Sequence, residues 1–275
     1  MNEFPQRTPS PQMFDPASKP TFGQRLKRWL APLGAIGVLL SKFKFVLLAM
    51  LKWLPAMFST GGSMLLTIWV YSISNGWWFA VGFVLLIFVH ECGHLLAAKR
   101  LGLRVGAPVF IPFMGAFIAL KEAPPNAWIE AQVGIGGPLL GTLGGVVCYG
   151  IYAATGQRIY HDLAYTAFFL NLFNLMPIGF LDGGRVAGAL SPWLWLVGLA
   201  VLAWVMFTQP FNFVLCLILI LSLPRLIGLF RKRSAAEERY YEVSPGRRLV
   251  MGVIYFGLAG FLATAMALSS QSARY

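Results

Sequence analysis

Two histidines and a glutamate stand close together in an apolar stretch, as His90, Glu91 and His94 of the pentad HECGH. An α-helix places residues i and i+4 on nearly the same face, so the two imidazoles can bind one metal ion. Glu91 is then placed to take a proton from a metal-bound water. Titratable side chains at membrane depth are costly and usually functional. The alternative is that both histidines only pack or hydrogen-bond between helices.

A third metal ligand is offered by Asp182, which follows the apolar stretch FFLNLFNLMPIGFL. Left alone at the bilayer centre, an aspartate costs about 2.5–3.5 kcal/mol on insertion scales, and metal coordination removes that cost. Pro177 prevents a regular helix just before it, and Gly183 and Gly184 permit a turn that aims the carboxylate inward. The alternative is a cytosolic turn in which Asp182 pairs with Arg185.

Two histidines, one aspartate and a water make the four-coordinate open site expected of catalytic zinc. Such a zinc makes hydroxide available near neutral pH. Glu91 would accept the proton and later deliver it to a leaving amine, which is the chemistry of peptide-bond hydrolysis. The sequence therefore predicts an enzyme with one Zn²⁺ per chain.

The pentad in an apolar helix, followed by GGP and then by NxxPxxxLDGGR, resembles the site-2 protease family of intramembrane zinc metalloproteases over most of residues 60–190. The resemblance implies zinc on His90, His94 and Asp182, with Glu91 as the catalytic base. It also implies a single-span membrane protein as substrate, cleaved within its transmembrane segment near the cytosolic side.

The resemblance gives Asn174 a role in holding the substrate or the oxyanion, since a side-chain amide can donate to a developing negative oxygen. An interhelical hydrogen bond is the alternative. We assign Asn171, one turn earlier, a structural role. In the glycine-rich segment 136–145, many family members carry Asn where this chain has Gly141, so small residues there are expected to serve close helix packing.

Composition places these residues in a membrane protein. The 275 residues are 57% hydrophobic and 12% charged, and a membrane span needs roughly 20 apolar residues. We predict an all-α polytopic membrane protein with six to seven transmembrane helices and a short re-entrant β-hairpin near the active site, formed by residues 108–120. The candidate spans are 60–76, 78–99, 127–154, 162–181, 192–208, 210–228 and 249–269.

The net charge of +12 comes from basic blocks that flank the apolar segments. That arrangement is typical of the positive-inside rule, so no nucleic-acid partner is expected. We predict four regions: a disordered cytosolic tail (1–30), an interfacial amphipathic segment (31–58), the catalytic membrane core (59–190) and C-terminal transmembrane helices (191–275). If 31–58 spanned the bilayer, the basic residues after the HECGH helix would lie outside. The interfacial interpretation puts the active site toward the cytosolic side, with a bacterial inner membrane as the default location.

The predicted hairpin suggests how a substrate is held, because a helical substrate must unwind before hydrolysis and an exposed strand edge can capture the unwound stretch. Two functions compete with a protease. A transporter would spread charged residues over several spans, which the sequence does not do. A catalytically silent scaffold with a structural metal site stays open.

Overall fold

The structure is a computed structural model and describes residues 59–272. The predicted cytosolic tail (1–30) and the predicted interfacial segment (31–58) lie outside the described residues. Within them the chain forms nine helices and one two-stranded sheet. In chain order these are α1 (Thr60–Asn75), α2 (Trp77–Arg100), β1 (Val105–Ile111), β2 (Gly115–Leu120), α3 (Ala127–Thr155), α4 (Arg158–Asn174), α5 (Asp182–Leu190), α6 (Leu194–Thr208), α7 (Phe213–Phe230), α8 (Ala235–Tyr240) and α9 (Pro245–Ser272).

The protein is a membrane protein. Among the described residues, four helices are long and apolar enough to cross a membrane: α2, α3, α7 and α9. Helix α6 is apolar but shorter. Large apolar side chains such as Trp78, Phe207 and Leu249 point outward and are more than half exposed, as expected where lipid replaces water as the solvent.

The predicted span 162–181 ends earlier than expected. Helix α4 stops at Asn174, and the chain runs without regular helix to Asp182. Pro177 explains the break, because its ring cannot continue a helix and it disfavours helical backbone at Met176. The Leu175 carbonyl left at this end accepts a hydrogen bond from the Tyr255 hydroxyl of α9.

The core lies where α3, α4, α5 and α9 meet. Its fully buried members include Ala131, Phe168, Val186, Met251 and Leu262. Small residues on α3 let neighbouring helices approach closely, as membrane helices require. These contacts fix the positions of α2, α4 and α5, the three helices that carry the predicted site.

The predicted hairpin is present. Its first strand begins at Val105, before the predicted segment 108–120, and its second strand ends at Leu120, as predicted. β1 and β2 are antiparallel, with Val109 opposite Phe117 and Ile111 opposite Gly115. Phe113 in the turn has a φ of 66° and Gly115 has a φ of 88°, so the chain reverses through left-handed backbone.

Helix α1 holds the outer edge of β1 through side chains. The Thr60 hydroxyl donates to the Pro108 carbonyl at 2.7 Å, and the Phe110 amide donates to the Ser63 hydroxyl at 3.1 Å. The Tyr71 hydroxyl accepts from the Phe113 amide at 3.0 Å. Bare strand edges are not tolerated in lipid, so these bonds supply the partners that β1 lacks.

Candidate metal centre

Helix α2 presents the two histidines one turn apart and turned inward. His90 and His94 are 3% and 8% exposed, and their Nε2 atoms are 3.1 Å apart. The i, i+4 spacing produces this, since the Cα–Cβ bonds of both residues project from the same face of the helix.

The third side chain arrives at the first residue of α5. Asp182 is 7% exposed, and its Oδ2 lies 3.2 Å from Nε2 of His90 and 3.2 Å from Nε2 of His94. The turn predicted at Gly183 and Gly184 is wrong, because both glycines lie in the first helical turn of α5. Their small size serves close packing instead. A Cβ at Gly183 would lie 2.0 Å from the Leu175 carbonyl oxygen, and one at Gly184 would lie 2.4 Å from the Ile178 carbonyl oxygen.

The three atoms form a nearly equilateral triangle with edges of 3.1–3.2 Å. Zinc bonds of about 2.0–2.2 Å at tetrahedral angles would separate the ligand atoms by roughly 3.3 Å. The donor set therefore fits a divalent ion of zinc's size and leaves the fourth coordination position free.

The outer contacts of the imidazoles decide which nitrogen carries hydrogen. Nδ1 of His94 lies 2.8 Å from the Val133 carbonyl oxygen, and Nδ1 of His90 lies 2.8 Å from Oδ1 of Asn171. Both partners are acceptors, so both Nδ1 atoms donate, and in the neutral imidazoles both Nε2 atoms carry lone pairs. Three acceptors then converge, and a cation between them removes their mutual repulsion.

Glu91 is 5% exposed, and one of its carboxylate oxygens lies within 4.8 Å of the ligand nitrogens of His90 and His94. Either carboxylate could in principle complete a metal site with the histidines. The tighter set is the one with Asp182, whose Oδ2 lies 3.2 Å from both Nε2 atoms, and the Glu91 carboxylate lies beside it. At that range a carboxylate can exchange a proton through one water.

Glycines let α3 pack directly against the two imidazoles. A Cβ at Gly137 would lie 2.2 Å from Nε2 of His94 and 2.8 Å from Nε2 of His90. A Cβ at Gly93 would lie 2.2 Å from the Gly136 carbonyl oxygen. The packing interpretation of the glycine-rich segment is thus confirmed.

A cavity of about 1040 Å³ opens onto the three side chains and Glu91. Its other walls are mostly apolar and include the hairpin residues Ala116 and Ile118 and helix α7. Asn174 also lines this cavity, and its amide makes no hydrogen bond to any residue in the described part of the chain.

Residues 78–160 match the sequence model of peptidase family M50. This segment contains Glu91 and the two histidines, His90 and His94, whose Nε2 atoms lie 3.2 Å from Oδ2 of Asp182. This part of the chain is therefore similar to peptidase family M50.

Curated relatives agree with this family. The chain is similar to the zinc metalloprotease MJ0392 of Methanocaldococcus jannaschii, with 32% identity over 126 residues, covering 43% of this chain and 36% of that protein. It is also similar to the probable chloroplastic zinc metalloprotease EGY2 of Arabidopsis thaliana, with 24% identity over 147 residues, covering 38% of this chain and 26% of that protein. The chain thus spans about a third of the length of these relatives.

A solved structure, the site-2 protease from Methanocaldococcus jannaschii, superposes on this chain with a TM-score of 0.38 at 23% identity. The superposition covers 66% of this chain and 87% of that chain.

Asn171 is the residue that sequence reasoning undervalued. We expected only a structural role for it, yet it makes the side-chain hydrogen bond to His90. The available signal was a polar amide inside an apolar helix, where an unpaired amide is costly. Its partner was not visible in the sequence, because the two residues are 81 positions apart.

Proposed function

We propose that this protein is an intramembrane zinc metalloendopeptidase that hydrolyses peptide bonds in transmembrane segments of single-span membrane proteins. The observation that carries the proposal is the buried triangle of His90, His94 and Asp182 with Glu91 beside it. Both histidines and Glu91 lie on α2, a helix apolar enough to cross a membrane. A transporter has no need of a carboxylate next to the first histidine, and a scaffold has no need of an open cavity at the metal.

In this proposal His90, His94 and Asp182 hold one Zn²⁺, which supplies Lewis acidity for water and for the peptide carbonyl. Glu91 accepts a proton from the attacking water and gives it to the amine nitrogen as the carbon–nitrogen bond breaks. Asn174 lines the cavity with an amide free of other described partners, so it can donate to the substrate carbonyl oxygen as negative charge develops there.

The hairpin offers a place for an unwound substrate. The Phe110 amide and the Pro108 carbonyl form hydrogen bonds to α1 and so point away from β2. The cross-strand pairs of these two residues with Ala116 and Ile118 are therefore the non-hydrogen-bonded pairs of the ladder. The backbone groups of Ala116 and Ile118 therefore point away from β1, toward the free edge of β2. Both residues line the cavity, which supports substrate capture by strand addition at that edge.

The location of the protein is also part of the proposal. Lys99 and Arg100 end helix α2, and the segment 231–248 is rich in Lys and Arg. The positive-inside rule places both on the cytosolic side, and with them the end of α2 that carries the site. A bacterial inner membrane is the proposed location, with residues 59–190 as the catalytic core and six to seven transmembrane helices in all.

The decisive experiment compares purified wild type with Glu91→Gln in proteoliposomes that contain a single-span substrate. We expect one zinc per chain in both proteins and cleavage only by the wild type, because glutamine cannot accept the proton. Glu122→Gln is the matched control, since Glu122 lies on the loop after β2 and pairs with Arg104 at 3.2 Å. Zinc is measured by elemental analysis and cleavage by mass spectrometry of the products. Equal cleavage by wild type and Glu91→Gln would remove Glu91 from the mechanism.

Strand addition is tested by Ile118→Pro, which deletes an amide that faces the free edge and leaves the ladder to β1 intact. We expect a higher KM or no cleavage for a membrane substrate, with zinc content unchanged. Ile118→Val is the control, because it keeps the amide and most of the side chain. Cleavage by Ile118→Pro at the wild-type rate would exclude capture at this edge.

A further inference from the structure

Asn171 is held in one orientation by two hydrogen bonds. It is 1% exposed, and its Nδ2 donates to the Ala167 carbonyl at 2.7 Å. A carbonyl oxygen can only accept, so the amide NH₂ must face Ala167 and the amide oxygen must face His90. Oδ1 is 2.8 Å from Nδ1 of His90, and that nitrogen must therefore carry the hydrogen.

The hydrogen bonds form a directed chain from α4 to the metal centre. The Ala167 carbonyl fixes the Asn171 amide, the amide fixes hydrogen on Nδ1 of His90, and the Nε2 lone pair is left facing Asp182. Outer partners of this kind orient a ligating imidazole and raise its basicity. At His94 the acceptor for the Nδ1 hydrogen is the main-chain carbonyl of Val133, so a side-chain substitution cannot remove that acceptor.

Helix α3 leaves space for this amide at one glycine. A Cβ at Gly141 would lie 2.3 Å from Oδ1 and 2.8 Å from Nδ2 of Asn171. Any side chain at position 141 would therefore displace the amide from His90. Gly145, one turn further along α3, is equally crowded, but a Cβ there would meet Phe168 and Ala167 instead, with 2.7 Å to the nearest ring carbon.

We propose that Asn171 is a positioning residue of the metal centre: its carbonyl holds His90 in the tautomer that binds the ion, and Gly141 keeps the space it needs. The proposal rests on the proposed zinc site but not on proteolysis. Asn171 touches neither the ion's position nor the cavity, so it acts only through His90.

The test is zinc affinity, measured by competition with a chelator in the purified full chain. Asn171→Leu removes both hydrogen bonds at similar volume, and Gly141→Ala displaces the amide without changing it. We expect each to bind zinc roughly 10- to 100-fold more weakly than wild type. Asn171→Asp keeps the acceptor for Nδ1 and loses only the donor to Ala167, so we expect it to recover most of the affinity.

Two controls separate positioning from packing. Thr142→Val removes another buried hydrogen bond to a helix carbonyl, the 2.6 Å bond to Pro138. Gly145→Ala adds a methyl against Phe168, away from the amide. We expect both to bind zinc with wild-type affinity, whatever they do to thermal unfolding of the metal-free protein.

Wild-type affinity in folded Asn171→Leu would overturn the proposal, as would an Asn171→Asp variant no better than Asn171→Leu. If Asn171→Leu does not fold, the comparison of Gly141→Ala with Gly145→Ala decides, because equal affinities would refute the positioning role. If the wild type binds zinc but cleaves nothing, the proposed protease activity is contradicted, and the positioning role of Asn171 is unaffected.

Discussion

A methyl group at position 137 should abolish metal binding. In Gly137→Ala the new Cβ would lie 2.2 Å from Nε2 of His94, the atom that faces His90 and Asp182. Non-bonded heavy atoms settle at about 3.5 Å, so the ring or helix α3 must move by roughly 1.3 Å. Metal bonds tolerate about 0.2 Å. The displacement exceeds this tolerance several-fold. We therefore expect zinc affinity to fall by more than roughly 100-fold, which is more than the loss of a hydrogen-bond partner of a ligating histidine typically costs.

The matched control is Gly150→Ala on the same helix, where a Cβ would meet nothing within 4 Å. We expect unchanged zinc affinity there and stability equal to wild type or higher by up to about 1 kcal/mol, because alanine favours helix. The assay is zinc content after dialysis, together with thermal unfolding with and without added zinc. Zinc should raise the unfolding temperature of wild type and Gly150→Ala only. Retention of one zinc per chain by Gly137→Ala would refute the geometry on which the metal centre rests.

Two further predictions concern the polar junction of Glu130, Arg225 and Tyr240, in which the Glu130 carboxylate lies 2.6 Å from Arg225 and 2.7 Å from the Tyr240 hydroxyl. Glu130→Gln should lower the free energy of unfolding by about 1–2 kcal/mol, less than for a fully buried pair because the Arg225 side chain is 31% exposed. Thermal unfolding checks this, and no loss would mean that the pair contributes nothing. Burial, and then the neighbouring Glu130, raise the pKa of Tyr240. The folded state therefore keeps this proton more tightly than the unfolded state, and the contribution is full below the ordinary tyrosine pKa and lost as pH rises above it. Wild type should lose more stability than Tyr240→Phe above about pH 10, and parallel pH profiles would contradict the assignment.

The ligand residues could be predicted because each carries a local signal. Two histidines at i, i+4 must share a helix face, and Asp182 follows Pro177, where the preceding helix cannot continue. The hairpin could also be predicted, from two short apolar arms around a turn. The end of α4 at Asn174 was predicted too late, because apolar composition continues past the point where Pro177 interrupts the hydrogen bonding.

The sequence by itself determined which atoms are available to a metal and that the two histidines lie in an apolar helix long enough to cross a membrane, since residue type, spacing and hydropathy are local properties. Only the tertiary structure decided that Asp182 meets the two imidazoles, that Asn171 rather than Asn174 bonds to His90, and that α1 bonds to the outer edge of β1. These are contacts between residues tens of positions apart, and packing of α2, α3, α4 and α5 selects them. The closeness of that packing depends on glycines whose partners no local pattern identifies.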